Sequence, residues 1–233
     1  MKLALAAYEF RNNDTEFNLS QIERALSQAD GKAELCCFGE AFLQGFDCLT
    51  WRKEEDAGVA VSRDSDIFRR LLRMTETYRT GIGFGYIERE GESFYSSYAV
   101  MAEGRLLYNY RRISRGWHGK ADPAYREGSD TAGFTFRGRS FALALCGDMW
   151  DFPLRFRSGD VFLWPVYLNF SLDEWKEEIT DYAARAASAA PVTLCVNSIS
   201  REPVSHGGAF VFKNGSAAEG LPFDSEGLLF NEV

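Results

Sequence analysis

Short apolar runs alternate with stretches of helical periodicity along almost the whole chain, and this alternation constrains the fold more than any other feature. Strand-like runs fall at 3–8, 34–38, 81–86, 95–101, 105–110, 134–136, 140–146, 160–165, 192–197, 208–212 and 228–233. Between them, residues 18–29 place Leu19, Ile22, Ala25 and Leu26 on one helical face, and residues 65–78 do the same with Ile67, Phe68, Leu71, Leu72 and Met74. The longest helix is expected at 172–189, with Glu174, Glu177 and Glu178 near its positive end and Pro191 as its stop. Residues 113–130 have little periodicity and read as a long loop, and Lys213-Asn214-Gly215 reads as a hairpin turn. Strands that alternate with helices, with a few hairpins, predict an α/β layered fold with a largely buried sheet. No linker, repeat or low-complexity tract interrupts the order, so one domain over 1–233 is expected.

Composition narrows the function. The chain is 45% hydrophobic, enough for a substantial core, and its net charge of −8 comes without any Lys/Arg-rich block. A nucleic-acid partner therefore has no electrostatic footprint. No apolar run approaches the roughly 20 residues of a membrane span. The apolar start at 1–8 is too short for a signal peptide and is ended by Glu9 and Arg11, so it reads as a first strand. Five cysteines, irregularly spaced and without a CxxC pair, predict reduced thiols in a cytoplasm rather than a disulfide framework or a zinc site. With His118 and His206 as the two histidines, a His-rich metal site is not expected.

Three stations carry possible chemistry. Cys146 ends an apolar run and enters the turn Gly147-Asp148, a rigid seat with an open front. Ligands gather at the carboxyl ends of strands in α/β sheets; the alternative is a buried cysteine acting as a small apolar filler, like Cys36, Cys37 and Cys195. Glu40 ends another run, among Phe38, Ala41, Phe42 and Phe46, where an unpaired carboxylate is costly to bury and makes a candidate base. An exposed loop glutamate is the other reading. Tyr110-Arg111-Arg112 follows a third run; paired arginines could hold an anion or a developing oxyanion, or could be a solvated surface pair.

Taken together, the stations resemble the carbon–nitrogen hydrolase superfamily, the nitrilases and aliphatic amidases, in which a glutamate, a lysine and a cysteine follow in this order at strand ends. Phe38-Gly-Glu40-Ala-Phe-Leu-Gln-Gly45-Phe46 resembles the glutamate motif, Tyr110-Arg111-Arg112 the Tyr-Arg-Lys run, and Cys146-Gly147-Asp148-Met149-Trp150-Asp151-Phe152-Pro153 the cysteine motif. The likeness extends to Tyr125-Arg-Glu-Gly128, Gly159-Asp160-Val161, Ala184-Arg185-Ala186, Val196-Asn197 and His206-Gly207-Gly208. It implies a four-layer α-β-β-α sandwich, assembled as a homodimer or higher homo-oligomer. It also implies hydrolysis of a non-peptide carbon–nitrogen bond in a small-molecule amide, carbamoyl compound or nitrile through a cysteine thioester, with no metal or organic cofactor.

The chain departs from that pattern at the lysine, where Arg112 stands. A guanidinium is planar, bulkier than an ammonium and effectively never deprotonated. It could bind an oxyanion, or it could lock Glu40 in a bidentate pair and weaken it as a base. The second outcome would leave a weak or inactive homologue that binds a ligand or partner. Lys120 could substitute for the missing lysine, and Asp122 is the nearest carboxylate to a second glutamate that many members carry in this loop; Glu127 comes slightly late. Gly147 and Trp150 replace other residue types beside the nucleophile, and Phe46, Trp117, Gly147, Trp150 and Tyr167 are the candidate pocket lining. The length is somewhat short for the family, which implies a trimmed C-terminal tail.

Overall fold

The computed structural model describes residues 1–118, 122–156 and 159–233. Its first sheet is built from β1 (Lys2–Ala7), β2 (Leu35–Cys37), β3 (Gly81–Glu90), β4 (Ser93–Ala102), β5 (Arg105–Arg111) and β14 (Gly227–Glu232), in the order β14-β1-β2-β3-β4-β5. The second contains β6 (Phe134–Phe136), β7 (Arg139–Leu143), β8 (Val161–Val166), β9 (Val192–Asn197), β12 (Ala209–Lys213) and β13 (Ser216–Gly220), in the order β13-β12-β9-β8-β7-β6. In each sheet the three central strands of the βαβ type run parallel and the flanking strands are antiparallel. A small hairpin of β10 (Ile199–Arg201) and β11 (Val204–His206) stands apart.

The two sheets face each other, and helices cover their outer faces. Along β1 the side chains alternate: Leu3, Leu5 and Ala7 enter the core shared with the second sheet, while Ala4 and Ala6 enter the core beneath α1 (Thr15–Ala29) and α3 (Asp66–Thr77). On α1, Leu19, Ile22, Leu26 and Ala29 recur at helical spacing and are fully buried. Asp14 caps that helix by accepting from Phe17 N at 3.1 Å, worth about 1 kcal/mol. On the far side, α5 (Leu172–Ala186) buries Trp175, Tyr182, Ala183 and Ala186 against the second sheet. A capping box starts it, with Ser171 N donating to Glu174 Oε2 at 2.7 Å and Glu174 N to Ser171 Oγ at 3.3 Å. The result is the expected α-β-β-α sandwich.

Several boundaries differ from those expected. Helix α1 begins three residues earlier than the apolar pattern, because the cap at Asp14 sets its start. Helix α5 ends at Ala186 rather than 189, where Ser188 Oγ turns back to the Arg185 carbonyl at 2.8 Å. The run at 140–146 is a ladder-paired strand only to Leu143; beyond it, Ala144 N and Cys146 N still bond Leu163 O (3.2 Å) and Pro165 O (3.0 Å). The loop at 113–130 holds one 3-10 turn, Arg115–Trp117, among the described residues. Two single-turn helices, α2 (Lys53–Asp56) and α4 (Asp148–Asp151), and the strands β10, β11 and β13 were not foreseen.

Candidate active site

Topology brings the Glu40 and Arg112 stations together. β5 is antiparallel to β4, and β4 to β3, whereas β2 is parallel to β3. β2 and β5 therefore point the same way, and Glu40 and Arg112 leave the sheet at one end. Past β2, Phe38 N still bonds Gly83 O at 2.8 Å, and Glu40 N reaches across to Val166 O of the second sheet at 3.2 Å. The Glu40 backbone lies directly on β3: a Cβ added at Gly85 would sit 2.3 Å from Ala41 N and 2.6 Å from Glu40 Cα. Glu40 is fully buried. Its Oε1 accepts from Ser96 Oγ and from Arg112 Nη1, both at 2.9 Å. Its Oε2 has no hydrogen-bond partner among the described residues.

Successive residues of a strand face opposite ways, and this divides the two arginines. Arg111 turns to Glu88, a buried carboxylate that it grips through Nη2 at 2.7 Å and Nε at 2.9 Å. Arg112 turns inward and is 4% exposed. Its backbone N bonds Ser96 O at 2.8 Å, and its carbonyl accepts from Gly128 N at 2.8 Å. The guanidinium commits two of its three nitrogens, Nη1 to Glu40 and Nε to Ser114 Oγ at 2.7 Å. Nη2 makes no hydrogen bond to any described residue and lies against Gly147. The Arg112–Glu40 contact is thus single rather than a bidentate lock. Burial works against the charge on Arg112, but Glu40, the Cys146 sulfur and Asp148 outweigh it and raise its pKa above the ordinary value.

Cys146 occupies a left-handed backbone position, φ +39°. It is held from both sides: its N donates to Pro165 O at 3.0 Å, and its carbonyl accepts from the Trp164 indole at 3.0 Å. The residue is half-buried, and its sulfur lies 3.8 Å from the Tyr167 carbonyl. Burial, and next the charge of Glu40, push the Cys146 thiol up to about 12, while Arg112 pulls it back. The other four cysteines are buried and none forms a disulfide.

Asp148 ties the Arg112 and Cys146 stations to each other. It is fully buried. Oδ1 accepts from Ile113 N (3.0 Å) and Ser114 N (2.7 Å), just past Arg112, and Oδ2 accepts from Leu145 N (2.9 Å) and the Tyr110 hydroxyl (2.6 Å). Burial raises its pKa, with these bonds acting in the opposite direction.

Of the candidate lining residues, Tyr167 meets the cysteine through its backbone carbonyl, and its ring stacks on Phe46 at 4.9 Å. Gly147 adjoins Arg112. Trp117 is buried against Trp51, Tyr125 and His118, and its indole N has no partner among the described residues. Trp150 lies elsewhere: it packs edge-on against Tyr182 and under Arg185 of α5, partly exposed. Asp122 is taken up in a turn, accepting from Ala124 N at 2.8 Å, and Glu127 pairs with Arg115 and His118. Lys120 lies outside the described residues. Sequence reasoning missed Ser96, Ser114, Tyr110 and Asp148. Two signals were present: the polar pair Ser96-Ser97 inside an apolar strand, and a carboxylate two residues after the cysteine.

Comparisons with known proteins bear on the family and the fold. The carbon-nitrogen hydrolase family profile matches residues 2–150. The chain belongs to that family. An (R)-stereoselective amidase from Pseudomonas sp is 24% identical over 149 residues, which are 64% of this chain and 52% of that protein. The chain thus spans about half the length of this curated relative. Among solved structures, a variant of the amidase from Nesterenkonia sp. AN1, showing Michael addition of acrylamide at its active-site cysteine, superposes with a TM-score of 0.81. It is 21% identical, and the match covers 100% of this chain and 93% of that one. A CN-hydrolase superfamily protein from Xanthomonas campestris with an arsenic adduct in its active site gives 0.80 at 16% identity, covering 99% and 89%.

Proposed function

We propose that this carbon–nitrogen hydrolase cleaves a linear amide or carbamoyl group through a thioester on Cys146, with Glu40 as base and Arg112 as oxyanion donor. The observation that carries this reading is the state of Glu40: a fully buried carboxylate whose Oε1 is held by Ser96 and Arg112 while Oε2 has no partner among the described residues. An unsatisfied buried acceptor is uncommon and costly, and it suits a group that must receive a proton.

With the thiol held near 12, the thiolate is not the resting form. The proton leaves as the bond forms. Sγ attacks the carbonyl carbon, its proton passes to Glu40 Oε2, and the oxygen gathers charge that Arg112 Nη2, the uncommitted arm, can stabilise by donating a hydrogen bond. Glu40 then returns the proton to the nitrogen as the C–N bond breaks, leaving the thioester and free amine or ammonia. Water attacks the thioester and gives a proton to Glu40. That proton goes back to sulfur as the C–S bond breaks, releasing the acid.

The substrate in this reading is a small-molecule amide or nitrile. The active-site cysteine of the Nesterenkonia amidase that takes up acrylamide supports a nucleophilic role for Cys146. We read the protein as cytoplasmic, supported by five free thiols. No helix of the described residues is long and apolar enough to cross a membrane. Trp150, Phe152 and Leu154, exposed beside α5, support a homodimer or higher homo-oligomer.

The competing reading, a ligand-binding homologue without turnover, rests on the same Arg112–Glu40 ion pair. Ammonia release from a panel of aliphatic and aromatic amides separates the two. The hydrolase reading expects turnover in the native protein, none in Cys146→Ala, and an acrylamide adduct on Cys146 by intact mass. Turnover that emerges only after Arg112→Lys establishes the binding module instead.

A further inference from the structure

We infer that Gly147 is a positioning residue for Arg112: the side chain it lacks is the space the guanidinium fills, so arginine at 112 and glycine at 147 work only as a pair. A Cβ built on Gly147 meets Arg112 Nη2 at 2.5 Å, with Ser114 Oγ next at 3.3 Å. Such a contact is cheap when the other atom ends a mobile side chain. Arg112 is not mobile in that sense. It is 4% exposed, with Nη1 on Glu40 at 2.9 Å and Nε on Ser114 at 2.7 Å, so retreat from a methyl at 147 breaks one or both bonds.

The backbone conformation does not by itself require glycine. Gly147 has φ −62° and ψ −13°, right-handed helical values open to any residue; as the cap residue of α4 glycine is also favoured over alanine, an effect that acts alike whichever residue stands at 112. The residue in the unusual conformation is its neighbour Cys146. The close approach of the guanidinium, and not a left-handed turn, is what excludes a side chain at 147. The consequence reaches Cys146, because Arg112 is the group that favours its charged form.

This inference rests on Arg112 serving the thiol, and alkylation of Cys146 by iodoacetamide reads it without any turnover. Rates at pH 9, followed by intact mass, are compared for the native protein, Gly147→Ala, Arg112→Lys and the double variant, with thermal midpoints alongside. Gly147→Ala is expected to slow alkylation about tenfold, the effect of one unit in proton affinity, and to displace the pH profile upward. In the Arg112→Lys background the same alanine is expected to change the rate less than about threefold, since the ammonium carries no arm toward 147. Equal losses in the two backgrounds, including failure to fold in both, overturn the pairing, as does a Gly147→Ala protein that alkylates at the native rate. Absent amide turnover with the coupling intact counts against the hydrolase reading alone.

Discussion

Asp148→Asn isolates one hydrogen bond in the junction that holds the Arg112 and Cys146 loops together. The native carboxylate accepts from Ile113 N, Ser114 N, Leu145 N and the Tyr110 hydroxyl. An asparagine oxygen in the Oδ1 place keeps the first two. Its amide nitrogen then faces Leu145 N, donor against donor, while Tyr110 can rotate its hydroxyl to accept. The flipped amide would orphan two backbone donors instead and is the worse choice. One buried donor left unsatisfied costs about 1–3 kcal/mol, so Asp148→Asn should destabilise by about 2 kcal/mol. Asp148→Ala orphans all four donors; even with the relief of removing a buried charge, it should cost about 4 kcal/mol or more. Urea unfolding followed by tryptophan fluorescence at fixed protein concentration is the assay. With a slope of about 2–3 kcal/mol/M, the asparagine variant moves the midpoint down by roughly 0.7–1 M, and the alanine variant by about twice that. If Asp148→Asn unfolds within about 0.5 kcal/mol of the native protein, or as easily as Asp148→Ala, the donor-by-donor reasoning is wrong.

Three further outcomes are expected. Glu40→Gln should lower kcat on any accepted amide by about a hundred- to ten-thousand-fold while circular dichroism stays native, because it removes a proton acceptor and keeps the shape; a loss below tenfold would remove Glu40 from the base role. The logarithm of the Cys146 alkylation rate should rise with unit slope from pH 8 to 10, without the inflection near 8.5 of an ordinary thiol, because burial pushes this thiol up to about 12. A plateau by pH 9 would contradict that environment. Gly85→Ala should cut activity far more than its size suggests, since its Cβ meets the Glu40 and Ala41 backbone at 2.3–2.7 Å and must displace Glu40, the proposed base. Unchanged kcat and KM in that variant would show the Glu40 segment to be free to move.

Much of this fold could be read before the structure because its signals are local. Leu19, Ile22 and Leu26 repeat at helical spacing, and the strand runs are short and apolar, so element order follows from patterning. The elements that escaped have little pattern to offer: α2 and α4 are four residues each, and β13 is exposed along its whole length. Glu40, Arg112 and Cys146 were legible as strand-end residues. Their division of labour was not, because it depends on which nitrogen of Arg112 meets which oxygen, and those partners come from β2, β4 and the loop after β5. Trp150 shows the converse failure. It lies four residues past the cysteine, yet the short α4 swings it onto α5.

The left-handed backbone at Cys146 has a consequence for how the chain could drift. A side chain at φ +39° costs of order 1–3 kcal/mol relative to a residue that adopts it freely, and glycine is the residue that does. Substitution to glycine would thus trade the thiol for stability, a direction open to any lineage in which the sulfur had lost its use. A cysteine at this position carries a conformational cost that glycine would not, and in the proposed function the use of its sulfur is what offsets it.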